Sequence, residues 1–400
     1  MDVPKNLKET HPQRYYLKKM CKWTYYMGIG DCWYEETKRS KTHKILYALW
    51  ATFINSYIIL GTVNELLANF RSDVTPQEKN DLIQFSFAHP SLCAKYIFLI
   101  LQKDRVKKLF KRMVGEKRVF TSLEVEKQSV REAFIYSVSL AIVTYGTLTM
   151  TVIDAFKRYI KEGVPFQTEV ALLPSPSYSG LFSGVLKVFK ELHWWAIVSN
   201  MLLVDGLSFF SLVFLGYKFK LVRIYFESLR EKVLRNADNK SKEALAEEFQ
   251  KDFVTGVKLH EDALWCARNV QYALGNIYGV EIIETSTCMV ILLIKIVDSG
   301  RNMTFLLANL FFFSCLFMIN GAYMMAAGDV TYEASLLSTS MFHCGWELVR
   351  VGRGFRTLAV VAIQRSQRPV HMTAFGVITL SHGNLISVVR SSYSFFAVMY

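Results

Sequence analysis

Seven apolar stretches divide this chain, and the Lys and Arg residues between them alternate from many to few. Residues 1–44 hold 10, residues 68–80 hold 2, residues 102–131 hold 10 and residues 154–190 hold 5. Residues 218–268 then hold 11, residues 298–302 hold 1 and residues 328–368 hold 5. The odd segments total 36 against 8 for the even ones, and the other three basic residues, Lys95, Lys295 and Arg390, lie inside apolar stretches. Short cytoplasmic loops of membrane proteins hold the excess of Lys and Arg. The alternation therefore predicts an all-α membrane protein with seven transmembrane helices, a cytoplasmic N-terminus and an extracellular C-terminus.

Composition agrees. Of 400 residues 52% are hydrophobic, and the mean hydropathy is +0.20, high for a globular chain and ordinary for a membrane one. A net charge of +13 would otherwise point to nucleic acid. Here the surplus sits in loops facing anionic headgroups, where each basic residue is worth about 1 kcal/mol, so membrane lipid is the expected polyanion and no nucleic acid is expected. The first 44 residues are charged and aromatic without an apolar core, so no signal peptide is expected and the first helix acts as its own insertion signal. None of the 7 cysteines lies in a predicted external loop, so no disulfide framework is expected. No C-x-x-C or H-E-x-x-H is present, and neither a metal nor a cofactor is expected. Of the sequons at Asn239 and Asn302, the first is predicted cytoplasmic and the second lies close to the bilayer.

A spanning helix needs about 20 predominantly apolar residues. Residues 45–64 and 133–153 supply uncharged windows, residues 192–217 are interrupted only by Asp205, and residues 302–328 form the strongest window. Residues 369–389 form the last, continued beyond Arg390 to Tyr400. Two windows are weaker: residues 82–102 contain His89 and Lys95, and residues 278–297 contain Glu281, Glu284 and Lys295. The charge alternation retains both. An intramembrane carboxylate is costly, and Asp205, at mid-span, is expected to serve structure or an ion path.

The expected organisation follows: a cytoplasmic segment over 1–44, helices one to four over 45–217 with an external loop at 154–190, a cytoplasmic helical connection over 218–277, helices five and six over 278–328, a cytoplasmic helix and turn over 329–368, and a seventh helix over 369–400. Apolar residues recur helically at Val222, Tyr225, Phe226, Leu229 and Val233, which predicts cytoplasmic extensions of helices four and five. Pro165, Pro174 and Pro176 argue for irregular structure in the external loop.

The last seventy residues carry a motif. Gly328-Asp329-Val330 leads through Ser335 to Trp346, then to Gln364 and Gln367-Arg368-Pro369. Met372-Thr373-Ala374-Phe375-Gly376, Leu380-Ser381 and Ser392-Tyr393-Ser394-Phe395-Phe396 follow. This pattern resembles the C-terminus of insect odorant receptors, which share the inverted topology and the length. His382 and Asn384 stand where that family more often has apolar or other polar residues. The sister gustatory receptors end in Thr-Tyr followed by Gln-Phe, whereas Met399 and Tyr400 follow Tyr393 here, and the co-receptor's long insertion in the fourth connection is missing. The chain thus resembles a ligand-tuning subunit.

The resemblance implies an odorant-gated, non-selective cation channel subunit in the plasma membrane of an olfactory neuron dendrite. It also implies a hetero-oligomer, a tetramer, with the odorant receptor co-receptor, and a pore lined by the last helix. That helix is unusually polar for a span, and Ser387, Ser391, Ser394 and Val398 share one face. Those serines either line water or permit close helix packing, and a ring of Val398 would gate by dewetting. The resemblance places a small volatile organic ligand in the outer half of helices two, three, four and six. Candidates there are Phe85, Phe87 and His89; Tyr145, Thr149 and Met150; Trp194, Trp195 and Val198; and Phe305, Asn309, Phe312 and Phe313. A volatile needs a mostly apolar site with a few polar anchors, and Thr149 and Asn309 are the expected anchors. Each aromatic has the competing role of plain packing, and the tryptophans that of interfacial anchors.

Two other readings compete. A G-protein-coupled receptor for small molecules has seven helices but the opposite charge bias, and no Asp-Arg-Tyr or Asn-Pro-x-x-Tyr occurs. A gustatory-type receptor channel shares the topology. A transporter often shows paired halves with broken helices, and none is found; an enzyme would need converging His, Asp or Glu within the membrane, but His89, Asp205, His371 and His382 show no metal-ligand spacing, and no catalytic residue is expected.

Overall fold

Side-chain hydroxyls set where several of the long helices begin. In this computed structural model residues 7–115, 118–163, 166, 168, 170–173, 180–298 and 303–399 are described, the side chains at 76, 77, 162, 297, 298, 395, 396, 398 and 399 excepted. The Ser40 hydroxyl accepts the His43 amide and starts α3, Lys41–Leu67. Thr75 and Glu78 form a reciprocal capping box that starts α4, Pro76–Leu101. Ser122 accepts the Val125 amide at the head of α6, Leu123–Glu162, and Gly163, at φ 66°, ends it in the left-handed conformation.

Two short helices, α1 (Leu7–Thr10) and α2 (Pro12–Tyr26), precede α3, and α5 (Lys103–Val114) follows α4. The longest elements are α7 (Leu181–Asn236) and α8 (Lys242–Asp298), followed by α9 (Met303–Phe342) and α10 (Arg353–Ser366). A hairpin, β1 (Met372–Ala374) and β2 (Ile378–Leu380), leads into α11 (His382–Met399). The end of the bundle holding α1, α2, α5, α10 and the hairpin is called basal below, the other end apical. The seven spans are α3, α4, α6, α7, α8, α9 and α11. Five of them, α3 and α6 to α9, are long and apolar enough to cross a membrane by themselves.

The helix α7 is the axis of the bundle: 83% of its apolar window is buried, against 17% for α3, which presents its side chains outward. At 56 residues α7 is roughly 84 Å long, far more than a bilayer core of about 30 Å. Its basal half pairs with α8 as an antiparallel hairpin outside the span. The expected apolar stripe is the buried face: Val222, Phe226, Leu229 and Val233 are buried, with Tyr225 half-buried beside them. Phe226 and Phe249 each meet the Phe253 ring, and Phe355 of α10 closes the cluster.

Three expected boundaries change. The seventh helix does not fill 369–400: residues 369–381 are a turn and the hairpin, and α11 begins only at His382. Phe375 and Gly376 take left-handed φ values of 52° and 74°, and Met372 and Ala374 share a buried face with Leu380. Mean apolarity cannot tell this period of two from a helix. The connection over 154–190 is shorter, since α6 continues to Glu162 and α7 starts at Leu181; Pro165, Pro174 and Pro176 lie outside the described residues. The cytoplasmic helix expected after residue 329 is continuous with the sixth span as α9 and ends at Phe342. Asn302 is also outside the described residues.

A side chain docks the hairpin. Gln271 of α8 donates from Nε2 to the Thr373 carbonyl at 2.8 Å and accepts the Thr373 amide at 2.7 Å, as a neighbouring strand would. The Phe375 ring lies on Gly279, where an added Cβ would come within 2.3 Å of it. His382 reaches the Met325 carbonyl and Asp329 of α9, each at 3.2 Å, and Asn384 donates to the Thr379 carbonyl at 2.5 Å. His382 thus ties the start of α11 to α9, and Asn384 ties it back to β2.

Candidate ligand-binding site

Two charge clusters lie inside the bundle. The first centres on Lys95 of α4, 1% exposed. Its Nζ lies 3.0 Å from Asp205 of α7 and 2.5 and 3.2 Å from Glu281 and Glu284 of α8. The Tyr323 hydroxyl donates to Asp205 Oδ1 at 2.9 Å, and Thr285 donates to Glu281 Oε1 at 2.9 Å. A buried charge is tolerated when paired and hydrogen-bonded. Lys95 of the second span, Glu281 and Glu284 of the fifth and Asp205 of the fourth are therefore partners. This is the structural role for Asp205.

The second cluster surrounds Glu65 of α3, which meets His89 Nδ1 and Lys190, with His193 Nδ1 at 3.5 Å. His193 Nε2 donates to the Ile58 carbonyl at 3.0 Å, which places the ring proton on that nitrogen. The His193 ring occupies the space where a Cβ on Gly61 would stand, 2.1 Å away, so a glycine lets α3 and α7 approach.

A cavity of about 110 Å³ opens among α4, α6, α7, α8 and α9 in the apical half of the bundle. Its apolar wall is Leu92, Leu148, Val198, Met201, Phe305, Phe312, Leu316 and Ile319. Phe85 and Trp194 meet edge to face at 5.7 Å, and Phe85 stacks on His89 at 5.2 Å. Polar groups enter from three sides: Thr144, Thr147, Thr151 and Asp154 on α6, Gln84 and His89 on α4, and Glu284, Lys295 and Asn309 on α8 and α9. Lys295 is held by Asp81 at 2.5 Å and donates to Gln84 Oε1 at 2.6 Å. A narrow, largely apolar cavity with a few fixed polar groups suits a small organic molecule.

The cavity gathers seven of the expected ligand residues: Phe85, His89, Trp194, Val198, Phe305, Asn309 and Phe312. The other six lie elsewhere. Tyr145 stacks on Trp195 at 5.8 Å, its hydroxyl 2.9 Å from Ser199, and Trp195 Nε1 donates to Glu191. Thr149 is exposed and donates to the Tyr145 carbonyl, and Met150 is half-buried outside the cavity lining. Phe87 is exposed and lines a lateral groove with Ile83, Val290 and Ser391. Phe313 packs on a small cluster of Ala88, Cys288, Met289 and Leu316.

The misplacements share a cause. Residues 145 and 149 lie one turn apart on α6, while 144, 147, 148 and 151 occupy the adjacent face, and the adjacent face is the one that reaches the cavity. Trp194 and Trp195 likewise point about 100° apart, one inward and one along α6. Leu148, Met201, Ile319 and the three threonines were missed because several apolar faces of each helix are equally plausible before packing is known. The Thr144, Thr147 and Thr151 spacing was the available signal.

The sequence profile described as 7tm odorant receptor matches residues 75–393, most of the chain. The chain belongs to the odorant receptor family. No curated protein matches it by sequence. Among solved structures it is similar to the insect olfactory receptor OR5 from Machilis hrabei in complex with eugenol, with a TM-score of 0.78 and 12% identity over 98% of each chain. It is similarly close to the same receptor in a second structure, with a TM-score of 0.78 and 12% identity over 98% of this chain and 99% of that one. This odorant receptor therefore has the seven-transmembrane fold expected of a multi-pass membrane protein. Its last helix, α11, leaves Ser387, Ser391 and Ser394 exposed, and the Val398 side chain lies outside the described residues. Arg350, Arg353 and Arg356, at the basal end, are also exposed.

Proposed function

We propose that this odorant receptor is a ligand-tuning subunit of an odorant-gated, non-selective cation channel, working in a hetero-oligomer with the odorant receptor co-receptor. The observation that carries the reading is the narrow, mostly apolar cavity in the apical half of the bundle. OR5 was solved with eugenol, and a comparably small volatile is the ligand expected here. By the charge alternation the basal end is cytoplasmic and the cavity lies toward the outside, in the plasma membrane of an olfactory neuron.

The cavity wall includes α8 and α9, and α11 packs against both. A ligand wedged between Glu284, Phe305 and Asn309 would bias these two helices, and so the helix leaning on them. Ser387, Ser391 and Ser394 form the hydroxyl-bearing face proposed to line the pore, with Val398 as the apolar ring toward its outer end. Ser391 also borders the lateral groove, so its hydroxyl sits at the margin of that face.

The test is whole-cell current in cells expressing this chain with and without the co-receptor, during pulses of a broad volatile panel and with G-protein signalling blocked. A rapid, co-receptor-dependent cation current that survives the block is expected. Responses that vanish under the block would instead identify a G-protein-coupled receptor.

A further inference from the structure

We infer that the ligand of this cavity is a volatile whose polar end donates a hydrogen bond, an alcohol or phenol, rather than one that only accepts. This rests on the reading of the cavity as the odorant site. The argument is an inventory of the wall. Along α6 three polar residues recur at helical spacing, Thr147, Thr151 and Asp154, all lining the cavity. Thr147 donates its hydroxyl proton to the Val143 carbonyl at 3.0 Å, and Thr151 donates to the Thr147 carbonyl at 3.0 Å. With their only protons spent on the helix, both oxygens can offer the cavity nothing but lone pairs. Asp154 extends the stripe. Its Oδ1 is buried and has no hydrogen-bond partner among the described residues, while Oδ2 lies 3.2 Å from Arg158 Nε. A buried carboxylate oxygen without a donor is costly, and a ligand O–H would satisfy it.

Two donors on the same wall are already engaged. Asn309 spends its amide on the Phe305 carbonyl at 2.8 Å, and Lys295 is held between Asp81 and Gln84. Arg158 Nε, 3.2 Å from Asp154 Oδ2, is itself buried without a hydrogen-bond partner among the described residues. An ester, ketone or ether could accept from Arg158 Nε but would leave Asp154 Oδ1 without a donor, whereas a hydroxyl can serve both. An alcohol brings the missing proton.

The experiment compares sets matched in size: hexanol, hexanal and methyl pentyl ether, and benzyl alcohol, benzaldehyde and benzyl methyl ether, with current recorded as above and surface receptor measured in parallel. In each set that evokes current, the alcohol should act at a half-maximal concentration roughly tenfold below the aldehyde and the ether. Thr147→Val with Thr151→Val, near-isosteric and without lone pairs, should shrink that ratio toward one. Asp154→Asn, which puts an amide donor where an acceptor stood, should move the preference toward the aldehyde. Aldehyde or ether matching or exceeding the alcohol would overturn the inference and leave the channel reading standing, as would currents evoked only by other, donor-free volatiles. A ratio that survives the double valine variant at normal surface level would overturn the assignment to α6. No current from any volatile would remove the proposed function and this inference with it.

Discussion

Lys95 is the residue on which the interior depends. Its ammonium meets carboxylates from α7 and α8, so one side chain of α4 holds three helices at a common depth. Breaking a buried pair by removing one partner costs about 3–5 kcal/mol, because the remaining charge is left uncompensated. Lys95→Met is expected to lower the melting temperature in detergent markedly and to deplete receptor at the cell surface. Adding Glu281→Gln should recover part of the loss, since one fewer charge is then stranded. A second expectation concerns ligand anchors. Thr149 is exposed and turned away from the cavity, so Thr149→Val should leave odorant potency within about twofold, the effect expected of a surface change, whereas Thr147→Val should alter it. Dose–response curves at matched surface expression decide this.

Among the elements, the hairpin before α11 departs most from expectation, and it is tightly fitted. Phe375 occupies the space that Gly279 leaves open, and Gln271 holds Thr373 by two hydrogen bonds. Forcing a methyl into that contact is overpacking, which costs about 1–3 kcal/mol. Gly279→Ala should therefore lower thermal stability, and Phe375→Leu in the same chain should restore part of it; a melting curve of each purified variant is the check. The helix α6 teaches a different lesson. Its apolar window over 133–153 was legible, but its extension over Leu123–Glu162 and its rotation were not: a span surrounded by lipid and protein carries apolar residues on several faces, so periodicity does not single out the face that meets a cavity. The basal hairpin of α7 and α8 was easier. There one face meets water, and the stripe from Val222 to Val233 stood out.

At the scale of the whole molecule, the basic residues concentrate at the basal end, where α5, the α7–α8 hairpin and α10 extend beyond the span. If that end is cytoplasmic, an epitope tag after Tyr400 should bind antibody on intact cells, and one before Met1 should bind only after permeabilisation. The reverse pattern would invert the assignment and place the cavity on the inner side. Chain composition and order determined the number of spans, the charge asymmetry between their ends and the membership signalled by the last seventy residues. These are one-dimensional properties: apolar length decides what enters a bilayer, and loop charge decides which way it faces. Tertiary packing decided the rest. Only when α4, α7 and α8 met did Lys95, Asp205, Glu281 and Glu284 become partners rather than blemishes. Only the rotation of α6 brought Thr147 and Thr151 to the cavity and left Thr149 outside. Both outcomes depend on distances between residues far apart in the chain, and hydropathy along the chain holds no information about those distances.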